Sequence, residues 1–169
     1  GIFELKPIYA NAYKRVLSNF LNYESLAKRK DIDYNFYSEL QDDEVLFDGT
    51  YLDLIINNLL SNAFKYTEEG ESISVKLYRE NKYIVLQVID TGVGIPDDKQ
   101  QKIFERFYQM ENGHEGSGIG LSLVQRLVEL HHGQITLVSE VGKGSTFSIY
   151  IPQDKSAYST EELLGGSRE

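Results

Sequence analysis

Cysteine is absent from the 169 residues, so disulfide frameworks and cysteine metal sites are excluded, and a reducing compartment is compatible with the chain. No apolar run approaches the roughly 20 residues that cross a bilayer, and no signal-peptide pattern opens the chain. Positive charge is scarce: 17 basic residues face 26 acidic ones, a formal net charge of −9. Such a surface repels phosphate backbones, so nucleic acid is not an expected partner. A small polyanion can still bind where glycine amides, a helix N-terminus, a few cations or a metal overrule the global field. Ser-His-Asp and paired-glutamate patterns for hydrolysis are lacking. Of the three histidines, His131 and His132 fall at a helix end, where imidazole favours the dipole, and His114 lies in a polar loop. Neither a metal nor a phosphoacceptor role is assigned to them.

Hydrophobic residues make up 41% of the chain, enough for a packed core, and the length suits one domain with a tail. Residues 3–9 read as a short strand, with Pro7 suggesting a sheet edge. Residues 10–29 carry apolar groups at roughly helical spacing, among them Val16, Phe20 and Leu26. Residues 33–38 read as extended. A helix follows Asp48 and Thr50, with Asp53 completing a capping-box-like start, and it breaks at Glu68-Glu69-Gly70. Residues 72–78 and 83–89 alternate as strands around a turn at 80–82. A short helix is expected over 98–104, after Pro96. Residues 108–116 are polar and aperiodic and read as a mobile loop. The next helix ends where Gly133 supplies a left-handed cap, and strands at 134–139 and 145–151 follow. The domain is expected to span 1–152, with 153–169 a flexible tail or linker. The fold class is α+β: a two-layer sandwich with helices on one face of a mixed, mostly antiparallel sheet.

Four segments suggest chemistry. On the helix after Thr50, residues Asn58, Asn62, Lys65 and Tyr66 share one stripe. Amide oxygens on one face can hold a hard cation such as magnesium, while a lysine meets phosphate. An exposed polar face is the alternative reading. Asp90 ends a strand on the same face as Ile84, Leu86 and Val88. A carboxylate there needs a donor, and an adenine amino group supplies one, with Gly92 and Gly94 letting the backbone bend around a flat base. A turn-forming aspartate is the alternative. Gly116-Ser-Gly118-Ile-Gly120 precedes a helix and points free amides at whatever occupies the loop. Dinucleotide and P-loop fingerprints fail on spacing. In Phe104-Glu-Arg106-Phe107 the aromatics can hinge a lid on the core, and the Arg106 fork suits a terminal phosphate; a surface arginine is the bland alternative.

The order of these segments resembles that of the two-component sensor histidine kinases. Asn58-Leu-Leu-Ser-Asn62-Ala-Phe-Lys65-Tyr66 is similar to their N box and Asp90-Thr-Gly-Val-Gly-Ile95 to their G1 box. Phe104-Glu-Arg106-Phe107 resembles the F box, Gly116-Ser-Gly118-Ile119-Gly120-Leu121 the G2 box, and Gly142-Lys-Gly-Ser-Thr146-Phe the closing glycine segment. The resemblance implies the Bergerat ATP-binding fold and a protein-histidine kinase catalytic domain using ATP and Mg2+. By it, Asp90 receives the adenine amine, and Asn62 with Asn58 coordinates magnesium. Lys65 and Tyr66 contact the nucleotide, with Lys65 and Arg106 serving catalysis. Gly92, Gly94, Ile95, Phe107, Gly116, Gly118, Ile119, Gly120 and Leu121 line the nucleotide, and Thr146 reaches the adenine side through water.

Hydrolysing members of the wider superfamily resemble Glu-x-x-x-Asn where this chain has Asn58, so a kinase is favoured over an ATP-driven clamp. An anti-sigma serine kinase and a non-catalytic ATP-binding module are further alternatives. Nothing before Phe3 resembles the phosphoacceptor hairpin. The chain therefore reads as an excised, monomeric catalytic module. Its implied partners are that hairpin and, indirectly, a response regulator receiver, and its implied place is the cytoplasmic part of a membrane-bound bacterial sensor.

Overall fold

The computed structural model describes residues 4–106, 108 and 120–167. Their main sheet is built from β2 (Asp33–Ser38), β4 (Ser72–Glu80), β5 (Tyr83–Asp90), β6 (Gln134–Glu140) and β7 (Gly144–Pro152), in the order β2-β4-β5-β7-β6. Only β2 and β4 run parallel; the other three pairings are antiparallel. Helices α1 (Ala12–Leu21), α2 (Glu24–Arg29), α3 (Gly49–Tyr66) and α4 (Gly120–Leu130) complete the layer against it. The core lies between the layers, with Ile55, Ile56, Leu59 and Leu60 of α3 and Val124 and Leu127 of α4 meeting Val88, Phe147 and Ile149. This is the mixed two-layer sandwich expected from the sequence.

The local differences have physical causes. The first strand, β1, is Ile8–Asn11 and not residues 3–9, because its partner is β3 (Glu44–Phe47), which sets where pairing begins. That partner escapes a periodicity reading: Val45, Leu46 and Phe47 are all buried, so no alternation marks them. The helical stretch of 10–29 divides at Asn22-Tyr23. There Tyr23 turns toward α3, stacking on Phe64 at 5.3 Å and donating its hydroxyl to Asn57 Oδ1 at 2.6 Å. The N-cap of α3 is Asp48, whose Oδ1 accepts from Tyr51 N at 3.2 Å. Asp53 does not close a capping box; it accepts from Arg15 and Asn19 of α1. The short helix of 98–104 resolves into two 3-10 turns, Asp97–Lys99 and Lys102–Phe104. After α4 the left-handed residue is His132 (φ 59°), not Gly133. Gly133 is small because the Tyr150 carbonyl lies 2.0 Å from where a Cβ would stand.

Residues 153–167 are not a loose tail. A 3-10 turn, Lys155–Ala157, leads to α5 (Thr160–Ser167). Gln153 uses both ends of its amide on Leu46, accepting from Leu46 N at 2.7 Å and donating to Leu46 O at 2.8 Å. Tyr158 is buried with Leu5 and Leu46, its hydroxyl donating to Pro152 O at 2.7 Å. Ser159 and Glu162 form a reciprocal capping box at the start of α5. The sequence shows only one apolar pair here, but Tyr158, Gln153 and Ser159 do the anchoring. No helix among the described residues is long and apolar enough to cross a membrane.

Candidate functional site

α3 carries seven buried apolar side chains from Leu52 to Phe64, which fixes its rotation against the sheet. That rotation leaves Asn58, Asn62, Lys65 and Tyr66 half-buried along one edge. Asn58 donates its Nδ2 to Leu54 O at 2.7 Å, one turn back, so its carbonyl oxygen faces outward. The N-terminus of α4 meets that oxygen: a Cβ on Gly120 would stand 2.9 Å from Asn58 Oδ1. The amide stripe and the positive end of a helix thus share one cleft. Leu121 packs its side chain on the core beside it. Lys65 Nζ lies 5.9 Å from the centre of the Tyr66 ring. The Tyr66 phenol is pushed above its usual range, first by burial and then by Tyr108. Tyr108, the first residue of the loop expected at 108–116, is thus near enough to Tyr66 to contribute to that shift.

The far end of the cleft is the close of β5. Asp90 is buried, and its Oδ1 accepts from Gly92 N at 2.9 Å. Burial pushes its carboxyl up to about 6, against the lowering effect of amides from Gly92 and Ser145, with a small further push from Glu71. Gly92 admits the end of α3: a Cβ there would meet the Tyr66 carbonyl at 2.1 Å. Gly94 adopts φ +74° against the Glu140 carbonyl, 2.1 Å from its would-be Cβ. Ile95 is buried; its N–H donates to Ser139 Oγ at 2.8 Å, and its carbonyl accepts from Gln100 Nε2 at 2.9 Å. Phe104 docks edge-on against Phe147 with ring centres 6.2 Å apart, the anchoring expected of the first F-box aromatic.

The register corrects the reading at the closing glycine segment. Thr146 pairs with Ile89, so it points to the sheet face opposite Asp90. The residue across from Asp90 is Ser145, which is buried and shares its face. Sequence reasoning missed Ser145 because two adjacent hydroxyls look alike until the pairing is known. Arg106 is exposed just beyond the second 3-10 turn. Phe107, Gly116, Gly118 and Ile119, and all but Tyr108 of the loop expected at 108–116, lie outside the described residues. His131 is not a helix-end cation: burial lowers its pKa, and it is a neutral core residue.

Together the cleft offers amide oxygens, a lysine, a helix N-terminus and a buried carboxylate. Among the described residues no cluster of three or more His, Asp or Glu side chains could hold a metal ion. Known proteins share this fold. Histidine kinase P4 of Formosa agariphila is 34% identical over 96% of this chain, which spans only 12% of that relative's length. The nucleotide-free catalytic domain of histidine kinase ThkA superposes with a TM-score of 0.81 at 23% identity, covering 91% of this chain and 100% of that one. ThkA in complex with response regulator protein TrrA matches at a TM-score of 0.75 and 22% identity over 89% of this chain and 42% of that one. Full-length ShkA in complex with AMPPNP gives a TM-score of 0.81 at 25% identity, covering 90% of this chain and 32% of that chain. A family model covers residues 47–155, from the end of β3 to the turn before α5, and by it the chain belongs to the histidine kinase-, DNA gyrase B- and HSP90-like ATPase family.

Proposed function

We propose that this chain binds Mg-ATP and donates the γ-phosphoryl group to a histidine on a separate upstream dimerisation hairpin, in two-component signalling. The observation that carries the reading is the meeting of Asn58 Oδ1 with the Gly120 end of α4, opposite the buried Asp90. Asp90 accepts the adenine amine, while Ile95 and the Gly92–Gly94 backbone flank the base. Asn62 and Asn58 present the oxygens a magnesium ion requires, and the ion neutralises phosphate charge when bound. Lys65 supplies a further positive charge toward the phosphates, and the Gly120 amide at the start of α4 joins the cradle. Arg106 serves the terminal phosphate.

Asn58 also bears on the reaction type. An amide cannot act as a general base, and Asn58 already commits its Nδ2 to Leu54 O. Water is therefore not activated at this position, which favours transfer to an imidazole over hydrolysis. The parent protein's partners are the hairpin directly and a response regulator receiver indirectly, the latter in line with the ThkA–TrrA complex, and no nucleic acid. The isolated chain is monomeric, and its parent is a cytoplasm-facing sensor.

Titration calorimetry with ATP and magnesium tests the binding half of the reading. The wild-type chain binds, Asn62→Ala loses the magnesium-dependent part, and Asp90→Ala loses the nucleotide altogether. Unchanged affinity in both variants contradicts the assignment.

A further inference from the structure

Four residues stand in one row across the sheet: Ile73, Asp90, Ser145 and Ser139, each the register partner of the next. All point to the helix-covered face, where the base slot lies. Ser139 makes three contacts through a single hydroxyl. Its Oγ accepts from Ile95 N at 2.8 Å, donates to Gly144 O at 3.0 Å and lies 2.7 Å from Ser145 Oγ.

The hydrogen count fixes the direction of every bond. A serine hydroxyl has one hydrogen and two lone pairs. Ile95 N–H can only donate, so it takes one lone pair of Ser139. The Gly144 carbonyl can only accept, so it takes the single Ser139 hydrogen. The remaining lone pair of Ser139 must receive the Ser145 hydrogen. Ser145 Oγ is thereby left with no hydrogen to offer and presents lone pairs alone. Its neighbour across the register, Asp90, is likewise an acceptor. Two acceptors side by side match an exocyclic amine, which carries two N–H groups, and oppose a carbonyl oxygen at the same place on the ring.

We propose that Ser139 is a positioning residue for nucleobase selection: it locks the Ser145 hydroxyl as an acceptor beside Asp90, so that the slot takes a 6-amino purine and rejects a 6-oxo purine. Through Ile95 N–H the same hydroxyl holds the wall of the slot. Gln100 braces that wall from the other side, its Nε2 donating to Ile95 O at 2.9 Å and to Ser139 O at 3.3 Å. The inference rests on the ATP-binding reading and deepens it, because Asp90 alone does not fix the orientation of a neighbouring rotatable hydroxyl. Without Ser139, the Ser145 hydrogen is free to turn toward the base and meet a 6-oxo group.

The test measures binding of magnesium complexes of non-hydrolysable ATP and GTP analogues to the 169-residue chain by titration calorimetry, with melting temperature as the check on folding. Ser139→Ala is expected to weaken the ATP analogue about tenfold, the effect of leaving buried partners unpaired. The GTP analogue holds or gains, so the ratio between the two contracts. Ser139→Thr keeps the hydroxyl and restores the wild-type ratio. Equal loss for both analogues in Ser139→Ala, with the ratio unchanged, overturns the inference while leaving ATP binding intact. A wild-type chain that binds neither analogue overturns the functional reading and this inference together. If Ser139→Ala does not fold, Ser145→Ala decides: weaker ATP-analogue binding with the GTP analogue holding or gaining supports the acceptor role, and an unchanged ratio between the two overturns it.

Discussion

The backbone amide of Asp48, the N-cap of α3, donates to Nε2 of His131, the residue just beyond α4, at 3.1 Å. The other ring nitrogen, Nδ1, lies 2.9 Å from Leu127 O. Both contacts are satisfied only by the neutral imidazole carrying its hydrogen on Nδ1. The Asp48 carboxylate in turn accepts from Lys6 N and Tyr51 N. One histidine therefore ties the start of α3 to the end of α4 and, through Asp48, to the entering chain. The opposite ends of both helices form the cleft proposed to take the nucleotide.

A pH dependence of stability follows. Burial lowers the folded-state pKa of His131 below its ordinary 6.5. The unfolded chain then binds the extra proton first, so this contribution is complete above about pH 6.5 and declines as pH falls below it. Denaturant midpoints between pH 7.5 and 5 check this against His131→Ala. The variant loses about 2–4 kcal/mol at neutral pH and has a shallower decline on acidification.

Asp90 has the opposite sign. Its folded carboxyl, at about 6, lies above the ordinary 3.8, so ionisation in the folded state costs stability as pH rises from 4 to 7. Asp90→Asn should stabilise the nucleotide-free chain at neutral pH by an amount on the order of 2 kcal/mol, since an amide oxygen still accepts from Gly92 N. The same variant should show no melting shift with Mg-ATP. Wild-type affinity for ATP should weaken as pH falls through about 6, where the acceptor is protonated.

Gly120→Ala separates folding from binding. The added methyl meets only the end of the Asn58 side chain, at 2.9 Å, which can move aside. Melting temperature should change little while magnesium-dependent ATP affinity falls about tenfold, as Asn58 is displaced. Gly92→Ala is expected to differ, because its methyl meets the Tyr66 backbone carbonyl at 2.1 Å. It should lower the melting temperature as well.

Tyr158→Ala reports on the C-terminal segment. Its ring is buried with Leu5 and Leu46 and its hydroxyl is paired with Pro152 O. A cost of about 3 kcal/mol in chemical denaturation is expected. A change within 0.5 kcal/mol, the range typical of an exposed surface site, would return 153–167 to the status of a loose tail.

How much of this could be read in advance depended on whether the signal was local. The apolar face of α3 shows from Leu52 to Phe64 because helical period and burial coincide, and the Asn58–Asn62 stripe follows from the same geometry. The alternation of Ile84, Leu86, Val88 and Asp90 placed the carboxylate on the covered face. β3 was hidden because burial of Val45, Leu46 and Phe47 in a row erases periodicity. Ser139 and Ser145 were hidden for another reason. Their meaning arises from strand register and from a hydrogen count that joins Ser139 to Ile95, 44 positions away, as well as to Gly144 and Ser145. The C-terminal anchor was missed because Gln153 acts on Leu46, 107 positions away.

The central claim is phosphoryl transfer, and one measurement addresses it. The chain is mixed with γ-labelled Mg-ATP and the upstream histidine hairpin as a separate polypeptide, with Asn62→Ala and Asp90→Ala in parallel. The account predicts acid-labile label on the hairpin, none retained on this chain, and loss of transfer in both variants. Rapid release of free phosphate with no labelled hairpin would contradict it and identify a hydrolysing clamp instead.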